Sequence, residues 1–174
     1  MQEWIEKAKT AGFDQAAELN MATLEPLQAV RDACAADKCN AYGRNWTCPP
    51  ACGTLEECTT RMKGYQHGIL LQTVGLLKRT IDTRGYAEVA KRHSENLKKF
   101  AEMIRQGYPD CLCLGAGGCR LCETCAYPEP CRFPDKAMSS MEAYGLFVTQ
   151  VCRDNNVNYY YGQKTIAYTA CVLF

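Results

Sequence analysis

Between residues 83 and 106 the chain places Tyr86, Val89, His93, Leu97, Phe100 and Ile104 three or four positions apart. Lys91, Arg92, Glu95, Lys98, Lys99 and Glu102 fill the positions between them. That period belongs to a helix with one buried face, and Gly107 and Pro109 stop it. Shorter segments carry the same mark. Trp4, Ile5 and Ala8 predict a first helix over residues 2–9, ended by Gly12. Thr23 as N-cap and Pro26 in the first turn predict a second, with Leu27, Val30 and Cys34 inward. Thr54 and Glu57 have capping-box spacing and predict a helix to about Lys63. Ser139 and Glu142 repeat that spacing ahead of Met141, Tyr144, Val148 and Val151, with Asn155 and Asn156 closing the helix.

Other stretches follow the period of a strand. Gly68 to Leu77 is a short apolar run suited to a buried strand. Residues 110–114 alternate, with Cys111 and Cys113 on one face and Leu112 and Leu114 on the other. Val157 to Phe174 is rich in Tyr, Val, Ile and Thr, and Gly162-Gln163 would turn it into a hairpin. Residues 39–53, with Gly43, Pro49, Pro50 and Gly53, read as loop. Helices alternating with strands predict an α/β fold: a small mixed β-sheet packed with helices, metal-binding loops at one end. The 174 residues make one domain, spanning 1–174.

Composition narrows the function. Basic and acidic side chains number 20 and 19, for a net charge of +1, and no like-charge block appears. A broad nucleic-acid footprint is not supported. The first residues lack a basic stretch followed by an apolar one, and no apolar run is long enough to span a bilayer, so the expected location is the cytoplasm.

The deciding count is 13 cysteines against 2 histidines. A disulfide framework suits shorter secreted chains with paired cysteines. Isolated buried thiols account for a few of the 13, not for groups of them. Thiolate-rich, histidine-poor sites favour iron–sulfur or zinc chemistry. Cys119, Cys122 and Cys125 are separated by two residues each, and Cys131 follows after five. Such spacing lets a chain curl around a cubane and give one thiolate to each iron, as in bacterial ferredoxins. Zinc modules more often show two separated pairs. Arg120, Arg132 and Lys136 lie close by and would balance an anionic cluster.

A second group is Cys34, Cys39, Cys48, Cys52 and Cys58. Cys48 precedes Pro49, a step shared with iron–sulfur ligands. Cys39 and Cys48 rank first as ligands, Cys34 and Cys52 next, and Cys58 reads as packing beside Leu55 and Met62. Tyr42 and Trp46 would shield a cluster there. Cys111, Cys113, Cys152 and Cys171 read as buried core thiols, and His67 and His93 as structural. No phosphate loop or hydrolase motif is present.

Two stretches together carry a resemblance. Cys34-x4-Cys39-Asn-Ala-Tyr42-Gly43-Arg44-Asn-Trp46-Thr-Cys48-Pro49-Pro50 is the first. The second is Gly118-Cys119-x2-Cys122-x2-Cys125-x5-Cys131-Arg132-Phe-Pro134, followed by Ser140-Met141-Glu142-Ala143-Tyr-Gly145. Together they resemble the predicted metal-binding proteins of domain of unknown function 2284, over Cys34 to the end. The resemblance implies iron–sulfur binding in anaerobes and no settled reaction. Its first group has three cysteines, which leaves the fourth ligand of the first site open.

The reading is a protein with two [4Fe-4S] clusters, on Cys34, Cys39, Cys48 and Cys52 and on Cys119, Cys122, Cys125 and Cys131, exchanging electrons with a redox partner protein. One alternative is an enzyme whose three-cysteine cluster leaves an iron open for substrate. Another is a zinc-stabilised binding module. Neither nucleic acid nor membrane is an expected partner.

Overall fold

The computed structural model describes residues 1–174. Five helices flank a four-stranded sheet, so the fold is α/β. The helices are α1 (Gln2–Ala11), α2 (Gln28–Ala35), α3 (Leu55–Lys63), α4 (Thr83–Arg105) and α5 (Val148–Asp154). The strands are β1 (Gln15–Glu18), β2 (Gly68–Leu76), β3 (Leu112–Leu114) and β4 (Thr165–Leu173), in the order β1-β2-β4-β3. Each neighbouring pair is antiparallel. The sheet is therefore antiparallel throughout rather than mixed as expected; the parallel bridge between Gly115 and Ser140 lies outside its strands. No helix is long and apolar enough to cross a membrane.

The sheet is buried on both faces, and strand alternation sorts its side chains. Ile69 and Leu71 of β2, Cys113 of β3, and Ala170 and Val172 of β4 meet Phe100, Ala101 and Ile104 of α4 and Ala8 and Ala11 of α1. Leu70, Leu112, Leu114, Cys171 and Leu173 meet Cys58 and Met62 of α3, Val151 and Cys152 of α5, and Met141 and Tyr144. Burying Leu112 and Leu114 opposite Cys113 follows directly from the two-residue period.

Most helix signals hold. Gly12 takes the left-handed conformation after α1, and Thr54 with Glu57 forms the complete capping box of α3. Asp82 caps α4 through the Gly85 N–H. At Gly75 of β2 an added Cβ would collide with Val89 of α4, so the helix lies on the sheet only because that position is bare.

Four local expectations are corrected. Thr23 does not open α2: Asn20 caps a single turn over Met21–Thr23, and α2 starts at Gln28 after an extended Leu27. Pro26 disfavours helical backbone at the residue before it. The buried residue of α2 is Arg31, not Leu27. Ser139 and Glu142 do not open one long helix. Ser140 Oγ accepts from the Ala143 N–H, a short turn spans Glu142–Tyr144, and Gly145 at φ 80° breaks it before α5. Gly162 does not turn a hairpin, because β4 pairs along all nine residues of β2 instead. No local pattern marks β1, because Gln-Ala-Ala-Glu has little strand propensity; pairing with β2 holds it.

Candidate metal centre

The two cysteine-bearing loops leave different elements and meet. The first follows α2 and runs to Thr54, the N-cap of α3. The second leaves edge strand β3. Its mouth is closed by two hydrogen bonds, Gly115 N–H to Ser139 O at 2.8 Å and Met141 N–H to Gly115 O at 3.0 Å. The loops are tied by the Cys119 N–H to Thr47 Oγ1 at 3.2 Å and by Asn45 Nδ2 to Cys119 O at 3.4 Å. Trp46 Nε1 donates to Glu129 O at 2.8 Å. Gly118 lies against Cys48, where an added Cβ would stand 3.5 Å from its Sγ.

Cys34, Cys39 and Cys48 line one cavity of about 190 Å3, together with Tyr42, Gly117, Gly118 and Glu142. Burial pushes the Cys48 thiol up to about 11, Thr47 opposes this, and Cys39, Cys52 and Cys34 push it further. Burial also raises Cys34, with Glu142 and Cys39 adding to it and Arg31 opposing. The thiols are thus close enough to resist ionising together, and a bound cation is what would stabilise them as thiolates.

Cys52 lies outside that cavity's lining. Its Sγ donates to Ala143 O at 3.7 Å and accepts from Arg31 Nη1 at 3.6 Å. The same Arg31 nitrogen reaches Cys58 Sγ at 3.8 Å. Contact with the Cys52 thiol lowers Cys58 against its burial, and Arg31 adds to the lowering.

Cys119, Cys122, Cys125 and Cys131 line a second, smaller space of about 20 Å3. Burial raises Cys119, the Leu121 N–H opposes it, and Cys131, Cys122 and Cys125 add to the rise. Trp46, expected beside the first group, instead lines this second space and meets Tyr127 edge-on at 5.0 Å. Arg132 also lines it, and its Nη1 donates to Thr124 O.

Two residues of the first site were not visible as such in the sequence. Arg31 is 9% exposed and pairs with no carboxylate; its guanidinium meets Gly53 O, Ala143 O, Cys52 and Cys58. A buried cation without a counter-charge is costly, and thiolates or an anionic cluster would supply one. Glu142 Oε2 is buried without a hydrogen-bond partner, at the wall shared with the three thiols. Helical spacing sets Arg31 three residues before Cys34, and Glu142 stands in the motif that carries the family resemblance, but neither pattern places these residues beside the thiols.

As the side chains stand, no three of Cys, His, Asp or Glu converge tightly enough to hold one ion. The thiols instead line walls around a space. The donor set is soft, and the buried Arg31 and unpartnered Glu142 suit a charged group, so the residues fit a thiolate-bound metal group.

The family comparison gives the same chemistry a wider footing. The sequence profile of domain of unknown function 2284, described as a predicted metal-binding protein, matches residues 17–174. The chain belongs to this family. No curated protein and no solved structure matches it. Both cysteine loops lie inside the matched span of this predicted metal-binding family. The chain's remaining thiols are buried in the two cores: Cys58, Cys152 and Cys171 in one, Cys111 and Cys113 in the other.

Proposed function

We propose that this protein carries two [4Fe-4S] clusters and relays single electrons to and from a redox partner protein in the cytoplasm of an anaerobe. One observation carries the reading: two thiol-lined spaces share a wall, with Thr47-Cys48 on one side and Gly118-Cys119 on the other. A bound cluster supplies a one-electron site. Neighbouring sites give a relay a short path. The proposed ligands are Cys34, Cys39, Cys48 and Cys52 for the first cluster and Cys119, Cys122, Cys125 and Cys131 for the second. Arg31 balances charge at the first, and Trp46 and Tyr127 keep water from the second.

Glu142 favours a second reading. Cys34, Cys39, Cys48 and Glu142 line the first cavity, and Glu142 Oε2 has no hydrogen-bond partner, while Cys52 contacts Arg31. In this reading the first cluster has three cysteine ligands, and its fourth iron faces Glu142 or a substrate.

Anaerobic purification with iron, zinc and sulfide analysis and electron paramagnetic resonance tests both. Two clusters require about eight irons per chain. About four irons would leave a single cluster, and zinc without labile sulfide would make the protein a zinc-stabilised module. Cys52→Ser that damages the first cluster's signal, with Glu142→Gln silent, supports four cysteine ligands. The reverse result supports the open iron.

A further inference from the structure

Outside the two thiol-lined spaces, a cavity of about 180 Å3 lies between α4 and the glycine loop that follows β3. Lys98, Arg120 and Lys136 line it with His93, Ser94 and Tyr168, and no Asp or Glu does. Leu97 and Met138 supply an apolar wall. Burial raises the Tyr168 hydroxyl above its ordinary value, and the nearby Arg120 charge opposes the rise.

His93 is the deciding residue. It is 2% exposed, and its Nε2 has no hydrogen-bond partner. Its Nδ1 lies 3.0 Å from Thr73 Oγ1. If Nδ1 carried the proton, both the Thr73 hydroxyl hydrogen and Nε2 would be left without partners. If Thr73 donates to Nδ1, only an Nε2–H donor is left over. The second arrangement orphans fewer buried groups, so it sets the tautomer. A buried, unpaired N–H costs free energy, and an acceptor in this cavity would recover it. The partly buried Ala116 and Gly118 of the lining loop donate their N–H groups to no other backbone group.

We propose that this cavity binds a small organic oxyanion, carrying a carboxylate or a phosphate, with its charge on Lys98, Arg120 and Lys136 and its body against Leu97 and Met138. Gly117 and Gly118 also line the Cys34–Cys39–Cys48 cavity, and Cys119 belongs to the second thiol set. The ligand therefore lies on the wall that both metal sites share. Apart from Cys119 the lining is independent of the thiols, so the proposal holds for iron or for zinc.

Calorimetry on the full, metal-loaded chain tests it, with inorganic phosphate, succinate and benzoate as probes. Saturable binding of at least one probe is expected, weaker at higher salt. Phosphate alone binding would mark a phosphate site, and the carboxylates alone a carboxylate site. Lys98→Gln lies on α4, away from both cysteine loops, and should weaken binding about threefold, the loss of one exposed ion pair. The imidazole Nε2–H resonance of His93 should shift when the probe binds. No saturable binding by any probe, or equal binding in Lys98→Gln, overturns the proposal. Metal analysis of the same samples separates the two readings: full iron without binding removes the anion site alone, and binding without iron removes the cluster reading alone.

Discussion

The backbone N–H of Cys119 donates to Thr47 Oγ1 at 3.2 Å, across 72 positions of sequence. This bond joins the first cysteine of one run to the residue before Cys48 of the other. Thr47 is itself buried, and its hydroxyl donates to Asn45 Oδ1 at 3.0 Å. Thr47→Val keeps the shape and removes the acceptor. A half-buried N–H left unpaired costs about 1–3 kcal/mol. Thr47→Val should lower the unfolding midpoint accordingly and speed metal loss from the Cys119–Cys131 loop. A variant with unchanged midpoint and unchanged metal release would show that the bond does not hold the loops together.

Ligand thiols and core thiols should separate under substitution. Cys122→Ser and Cys48→Ser remove soft ligands and should each lose or damage one cluster. Cys171 and Cys152 are fully buried in the core on the α3 and α5 side of the sheet. Cys171→Ser and Cys152→Ser should keep their metal and cost about 1–3 kcal/mol for burying a hydroxyl. Metal per chain in the four folded variants decides it; loss from either core variant overturns the assignment.

Arg31 gives a test of charge at the first site. The cation balances whatever negative charge the thiols and their metal carry. Removing it should disfavour the more reduced, more negative form, so Arg31→Gln should lower the potential of one cluster and leave the other in place. Redox titration followed by electron paramagnetic resonance reads the two separately. Equal shifts in both, or none, would detach Arg31 from the metal site.

Gly75 is a test of the fold alone. Gly75→Ala puts a methyl into Val89 of α4. Overpacking of this kind costs about 1–3 kcal/mol. The variant should unfold earlier in denaturant with its metal content unchanged, since Gly75 belongs to neither cysteine loop. A midpoint equal to wild type would mean that α4 can shift away freely.

His93 sets a pH dependence. Burial lowers it to about 4, and the nearby Arg92 charge adds to that. The unfolded value lies near 6.5. The unfolded chain therefore takes up this proton first as pH falls, and the stability contributed by the neutral ring is complete above about 6.5 and lost on going down to about 4. The whole effect is on the order of 3 kcal/mol. Thermal unfolding across that window should show a steeper fall for wild type than for His93→Gln. Parallel curves would contradict the burial of a neutral imidazole.

The long helix, the Thr54–Glu57 cap, the β2 run and the alternation around Cys113 were legible because each signal is local. They depend on spacing within one segment. Leu27 and Ser139 misled for the complementary reason: Pro26 disfavours helical backbone at Glu25, and Gly145 is free to take the left-handed turn that ends the short helix. The final strand looked like a hairpin because propensity says which residues suit a strand and not which strand they will pair with.

The candidate site divides along the same line. Sequence by itself determined that the chain carries two groups of closely spaced cysteines, because thiol identity and short spacings are written along it. Only the tertiary structure decided that the two loops share a wall, that Trp46 covers the second group rather than the first, and that Cys52 contacts Arg31 while Glu142 lines the cavity of the three thiols. Those facts rest on contacts between residues 21 to 112 positions apart. Such contacts are set when helices and strands pack, and no local pattern records them.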